Sequence, residues 1–328
     1  RPADDDLPAT HDGPGLMPIE PDLIALDRPL AHALSVGATA LSCDETTPAE
    51  ADAEGLLQWQ ALLDRDPVAL GQWADSPLVA LYGPLCAGRR DRPLVVGHLA
   101  QSLDGRIATA AGMSRWLSGS EDLLHTHRMR ALSDAVLVGV NTVACDDPQL
   151  TVRRCAGEHP VRVVIDPHRR LDGSQRVFTD GAAPTLLLVA AGRGAAGERL
   201  GHAEVVPVEH GPRGLDPRDI CRLLARRGLH RLLVEGGGIT VSRFLEVGAL
   251  HRLQITVAPV ILGSGRPAIV LPEISDLGSS LRPRTRRVIM GDDMMIECDF
   301  ETPVEATSEV PVQTLGTRPA PSRPGPRG

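Results

Sequence analysis

The chain has 328 residues, 42% hydrophobic and 23% charged, with 34 basic against 42 acidic side chains and a formal net charge of −8. That length and apolar content can bury one or two sizeable cores. No apolar run approaches the roughly 20 residues that span a bilayer, the near-neutral central region gives no electrostatic case for a nucleic-acid surface, and the lack of any lysine excludes Schiff-base and lysine-base chemistry.

Residues 1–92 hold most of the negative charge and are rich in Pro and Ala. The opening residues, 1–6, are acidic and lack the apolar stretch of a secretory signal, so a cytoplasmic protein is expected. Glu54-Gly-Leu-Leu-Gln-Trp-Gln-Ala-Leu-Leu63 has the spacing of an amphipathic helix, and Arg89-Arg-Asp-Arg-Pro93 reads as a linker. The segment 1–92 as a whole shows no role. From 93 to 300, Val/Leu/Ile runs alternate with helical patterns. Strands are expected at 94–100, 135–139, 161–166, 185–190, 204–208, 231–235, 253–257, 287–290 and 294–298, and helices at 120–132, 217–227 and 239–247. Continuous apolar strands separated by helices predict an α/β domain with a mainly parallel central sheet covered on both faces. Gly291-Asp-Asp293 between the last two runs predicts a closing antiparallel hairpin. Residues 301–328, rich in Pro, Ser, Thr and Gly, read as a disordered tail.

The six cysteines are scattered without a C-x-x-C pair, which points to reduced thiols rather than a zinc ribbon or disulfide scaffold. Cys145 is expected as a small core residue. His202-Ala-Glu204 copies the H-x-E of zinc deaminases without the P-C-x-x-C that completes their ligands, and reads as a strand start. His125 and His127, two apart, fall on different sides of a helix, so no metal site is expected.

Three motifs follow one another closely: Leu99-Ala-Gln-Ser-Leu-Asp-Gly-Arg106, Ser114-Arg-Trp116 and Asp146-Asp-Pro-Gln-Leu-Thr-Val-Arg153. They offer a glycine turn, a hydroxyl, an indole to stack on a flat ring, and, with Arg130, two guanidinium forks for a phosphate. Further on, Leu232-Leu-Val-Glu-Gly-Gly-Gly238 leads into a helix beginning at Ile239. Glycines allow close backbone approach, and the N–H groups of a helix start attract a pyrophosphate. A tight turn needs one glycine, so three favour a ligand. Glu235 ends the strand before this turn, where a carboxylate meets the ligand crevice. Gly263-Ser-Gly-Arg-Pro-Ala268 matches a dinucleotide fingerprint only superficially and reads as a loop, because Pro267 interrupts it and no ribose-binding acid follows. Of Arg128 and Arg130, which share one helix, one is expected to be solvated.

Over about residues 93–300 this series resembles the reductase domain of the bifunctional riboflavin-pathway deaminase-reductase, a dihydrofolate-reductase-like fold. The resemblance implies hydride transfer from NADPH to C1′ of a ring-opened phosphoribosylamino-pyrimidine. It assigns Ser114, Arg130, Leu150, Arg153 and Glu235 to substrate, and Trp116, Thr142, Asp146, Gly236, Gly237, Gly238, Ile239, Thr240, Val241, Ser242 and Arg243 to NADPH. His98 stands where the family has lysine; an imidazole titrates near pH 6.5, so His98 and Glu235 are the catalytic candidates. A homodimer is a further family expectation. The acidic segment in place of a zinc deaminase domain implies no deaminase activity. Two other readings are a reductase of the same fold acting on a pterin or specialised metabolite, and a non-catalytic nucleotide-binding regulator.

Overall fold

In a computed structural model of the chain, residues 50–86, 93–114, 117–195 and 197–301 are described. The N-terminal part forms helices α1 (Glu50–Asp64), α2 (Pro67–Gln72) and α3 (Pro77–Cys86). Asp66 starts α2 by accepting from the Val68 and Ala69 N–H groups, and Pro67 occupies the first position, where no N–H is needed. There follow β1 (Leu94–Ser102), β2 (Arg106–Thr109), α4 (Ser120–Leu132), β3 (Ala135–Gly139), α5 (Val140–Asp146) and β4 (Val161–Ile165). Next come α6 (Arg176–Thr179), β5 (Thr185–Ala190), β6 (Arg199–Leu200), β7 (Ala203–Val208), β8 (His210–Gly211), β9 (Gly214–Leu215) and α7 (Pro217–Arg226). The described elements end with β10 (Arg231–Glu235), α8 (Gly238–Glu246), β11 (Arg252–Ala258), β12 (Gly265–Pro267), β13 (Arg284–Met290) and β14 (Asp293–Asp299).

The main sheet runs β13-β14-β11-β1-β10-β3-β4-β5-β7-β6. From β11 to β7 its strands are parallel, and the expected hairpin, β13 with β14, closes one edge antiparallel. Side chains of a strand alternate between faces. Val95 and Leu99 therefore pack with Ile220 and Leu224 of α7 and Val241 and Phe244 of α8, while Val96 and Leu233 pack on the other face with Met129 of α4. The sequence 263–268 is not a plain loop: β12 pairs antiparallel with β2, forming a ribbon beside the main sheet.

The composition boundary at 93 is not a boundary in packing. Trp59, Leu62, Leu78, Leu81 and Tyr82 belong to the same core cluster as Val96, Met129 and Leu233. Trp59 Nε1 donates to Ala156 O at 3.1 Å, and the Arg128 guanidinium lies 5.4 Å from the Trp59 ring centre and 5.9 Å from that of Tyr82. Arg128 and Arg130 are both buried, at 1% and 7% exposure, so neither is the solvated member expected of the pair. Of the expected linker 89–93 all but Pro93, and the tail from 302, lie outside the described residues. No helix among the described residues is long and apolar enough to cross a membrane.

Trp59→Ala removes an indole from the core and uncovers Arg128, a change expected to destabilise the fold by about 3–5 kcal/mol. Val68→Ala, at a site 73% exposed in the same segment, should stay within about 0.5 kcal/mol of wild type. Chemical unfolding measures both; an unaltered midpoint for Trp59→Ala would show that residues 50–86 fold apart from the sheet.

Candidate active site

β10 comes late in the chain yet lies between β1 and β3. β1 leads to α4 over one face and β10 leads to α8 over the other, so a crevice opens at the carboxyl ends of the central strands. A cavity of about 920 Å³ fills it. Leu99 and Ala100 of β1, Glu235 and the turn after β10, and Ile107, Ala108 and Arg266 of the β2–β12 ribbon form its walls.

Gly236 and Gly237 have φ of +69° and +58°, the left-handed region that a β-carbon disfavours. A β-carbon on Gly237 would also stand 2.9 Å from Thr142 Oγ1, and one on Gly238 2.5 Å from Ala268 O. Each glycine thus has its own steric cause, and the triplet by itself does not signal a ligand. The helix start does more. Gly237 caps α8 without any side-chain hydrogen bond, so the first N–H groups of the helix are left for an anion.

Glu235, at the end of β10, accepts from Arg130 Nε at 2.8 Å and from Arg130 Nη2. Arg130 Nη1 donates to Thr151 O at 3.0 Å. Burial works against a charged Glu235, but Arg130 more than offsets it and holds the carboxyl below its usual range. Arg130 is therefore not a free phosphate fork. The Arg153 side chain is exposed and donates from Nη1 to Thr151 Oγ1 at 2.6 Å; like Arg130, it stands outside the cavity wall. Partial burial, then Arg130, Arg176 and Arg154, lower its pKa, which marks an excess of positive charge around it. Leu150, with φ +56° and 1% exposure, lines the cavity just before this group.

His98 neighbours Glu235 across β1 and β10. Its Nε2 lies 3.5 Å from Asp122 Oδ1 and 3.3 Å from Thr126 Oγ1 on α4. Burial opposes the charge on Asp122, while His98 and the hydroxyls of Ser118 (2.6 Å) and Thr256 (2.5 Å) hold it below the usual carboxylate range. His98 is 3% exposed and does not line the cavity; its carbonyl accepts the Gly236 N–H at 3.2 Å. His125 packs edge-on against the His98 ring, with centroids 5.2 Å apart, and takes partners different from those of His127, as the spacing implied. Tyr82 Oη donates to His125 Nδ1 at 2.7 Å, and its Nε2 donates to Gln254 Oε1 at 2.9 Å. His127 Nδ1 accepts the Arg153 N–H at 3.0 Å. No metal-ligand cluster occurs among the described residues.

Ser114, Thr142, Asp146, Gly236, Gly237, Gly238, Ile239, Thr240, Ser242 and Arg243 all line the same cavity as Glu235 and Leu150. Ser114 Oγ donates to Asp146 Oδ1 at 3.1 Å. Ser242 Oγ is already engaged by the Val270 N–H at 2.8 Å. Val241 is fully buried in the core, its N–H bonds to Gly237 O, and it does not line the cavity. Trp116 lies outside the described residues. The reading of Cys145 as core is overturned: it is exposed on the cavity wall, 3.8 Å from Arg266 Nη1. Arg170 and Arg266, unassigned in the sequence, also line the cavity. Arg266 was hidden in the run read as a loop, and Arg170 follows a strand without any motif.

An open parallel sheet whose central strands end at a glycine turn, a bare helix start and an arginine-held carboxylate defines a nucleotide-binding α/β enzyme. The profile of the RibD C-terminal domain matches residues 93–289, and the chain belongs to that family. It is 38% identical over 217 residues to the 2,5-diamino-6-ribosylamino-4(3H)-pyrimidinone 5′-phosphate reductase of Methanothermobacter thermautotrophicus, covering 63% of this chain and 97% of the relative. With the riboflavin biosynthesis protein RibD of Aquifex aeolicus it shares 35% over 214 residues, 63% of this chain but 58% of that protein. The solved deaminase/5-amino-6-(5-phosphoribosylamino)uracil reductase of Thermotoga maritima superposes with a TM-score of 0.55 at 28% identity, covering 64% of this chain and 57% of that one. Compared with these two longer relatives, the chain thus spans little more than half their length.

Burial, then His98, pushes His125 down to about 3, and burial, then Arg130, pushes His127 down to about 4, from an ordinary 6.5. Between those values and 6.5 the unfolded chain takes up protons that the folded chain refuses, so stability is lost as pH falls through this window. Urea midpoints should drop between about pH 7 and pH 5, before most carboxylates titrate. A flat profile across that range would contradict the two buried neutral imidazoles.

Proposed function

We propose that this chain is an NADPH-dependent reductase that converts a phosphoribosylamino-pyrimidine to its ribitylamino product in riboflavin-type biosynthesis. One observation carries the reading: an ionised carboxylate, Glu235, and an anion-attracting helix start open onto one cavity from the two ends of a single turn. Bound NADPH supplies a hydride. The residues present suit such a group, with glycines that admit its backbone contacts, Thr142 beside them and arginines on the wall.

The chain's own side chains then have separable tasks. Glu235, held as an anion by Arg130, only accepts hydrogen bonds, and it suits the N–H groups of an aminopyrimidine and the positive charge of a protonated imine. Arg153 takes the phosphate end. His98 acts from behind the wall, fixing Asp122 and α4 and receiving the Gly236 N–H. The proposal covers the reductive step alone, in a cytoplasmic homodimer.

NADPH oxidation should be seen with a ribosylaminopyrimidine phosphate, deaminated or not, and not with dihydrofolate. Turnover of dihydrofolate alone would favour a pterin reductase, and NADPH binding without turnover of any of them a regulator. Arg153→Ala should lower kcat/KM by an order of magnitude or more, the scale of about 1.5–3 kcal/mol for a charge-assisted hydrogen bond. Arg130→Lys should not restore the fork that holds Glu235. Wild-type kcat/KM in Arg153→Ala would remove the phosphate from this arginine. Gly237→Val should abolish NADPH binding in calorimetry, since a β-carbon there meets Thr142 and the wrong half of φ space.

A further inference from the structure

Three arginines line the cavity, Arg170, Arg243 and Arg266, and no ion pair is found for any of them among the described residues. They are not equivalent. Arg266 lies on β12, beside Cys145 and next to the carbonyls that crowd Gly238, close to the bare start of α8. Arg243 lies in the last turn of α8, where Nη2 donates to Leu215 O at 3.1 Å. It also borders a second groove that holds Glu209, Asp216, Asp219 and Glu246, so acidic groups offset its charge. Arg170 follows β4 and is exposed; its Nη2 donates to the neutral Asn141 Oδ1 at 2.9 Å.

Between the end of β4 and the start of α7 the cavity becomes apolar, through Ile165, Pro167, Leu215, Pro217, Ile220 and Phe244. For a dinucleotide whose pyrophosphate rests on α8, this slot is the apolar surface open to the purine, and the adjoining ribose then comes to the end of β4. An enzyme that reads a free ribose 2′-hydroxyl places a carboxylate there, and one that reads a 2′-phosphate an arginine. Asp166, the residue directly after β4, is fully buried, and its Oδ2 accepts the Leu171 N–H at 2.9 Å. It is absent from the cavity wall, whereas Arg170 is on it. We propose that Arg170 is the specificity-determining residue that selects a 2′-phosphorylated nicotinamide dinucleotide over the unphosphorylated form, with Asn141 positioning its guanidinium. This rests on the reductase reading given above.

The test is equilibrium binding of NADPH, NADH and 2′,5′-ADP to the full chain by calorimetry. Wild type should bind NADPH at least tenfold more tightly than NADH and should bind 2′,5′-ADP. Arg170→Ala should weaken NADPH and 2′,5′-ADP tenfold or more and leave NADH within about twofold, with Arg170→Lys in between. Arg222→Ala, which removes the same charge at an exposed site paired with Asp219, should change none of them. If Arg170→Ala keeps the wild-type preference, or loses both dinucleotides equally, the assignment of Arg170 is overturned and the reductase reading stands. If wild type binds neither dinucleotide, both fall together.

Discussion

The ion pair between Arg130 and Glu235 joins the helix and the strand between which the site is built. α4 buries Asp122, His125, Thr126, His127, Arg128 and Arg130 along with its apolar residues. A helix that carries so many polar groups inward cannot rely on non-directional burial for its register; each group needs a partner at hydrogen-bonding distance. Removing one member of a buried pair leaves the other uncompensated, at a cost of about 3–5 kcal/mol. The pairing therefore sets where α4 lies against β10 and β1. Asp122 with His98, and His127 with the Arg153 backbone, then follow at positions that keep cavity and helix in step.

The outer side of α4 is completed by the N-terminal helices. Tyr82, His125, Gln254 and Glu297 form a continuous run of hydrogen bonds from α3 through α4 and β11 to β14. Arg286 closes it, donating to Glu297 Oε2 at 3.1 Å and to Ala80 O and Leu81 O back on α3. The acceptor side of Gln254 fixes which nitrogen of His125 carries the proton, and burial keeps that ring neutral. A segment without evident role in its composition thus anchors the helix whose inner side chains hold Glu235.

The sheet was legible because its strands are unbroken apolar runs: β3, β5 and β10 have the limits expected from Val and Leu alone. Short elements were not. α5 reads Val-Asn-Thr-Val-Ala-Cys-Asp, too brief for periodicity, and β2 with β12 exist through pairing with each other. The cavity residues follow mostly from family resemblance and not from any local pattern. Arg130 and Glu235 stand 105 residues apart, so no local pattern could show that one binds the other. The same limit hid α3, an apolar helix interrupted by Pro84, and the inward turn of Asp166.

The family profile begins at residue 93, after the helices of residues 50–86, and 63% of this chain covers 97% of the archaeal reductase. Yet Trp59 and Tyr82 form the aromatic lid over Arg128. The stability of the reductase domain is therefore set partly outside the stretch that the family shares: a substitution at Trp59 or Tyr82 reaches Glu235 through Arg128 and the helix that carries Arg130.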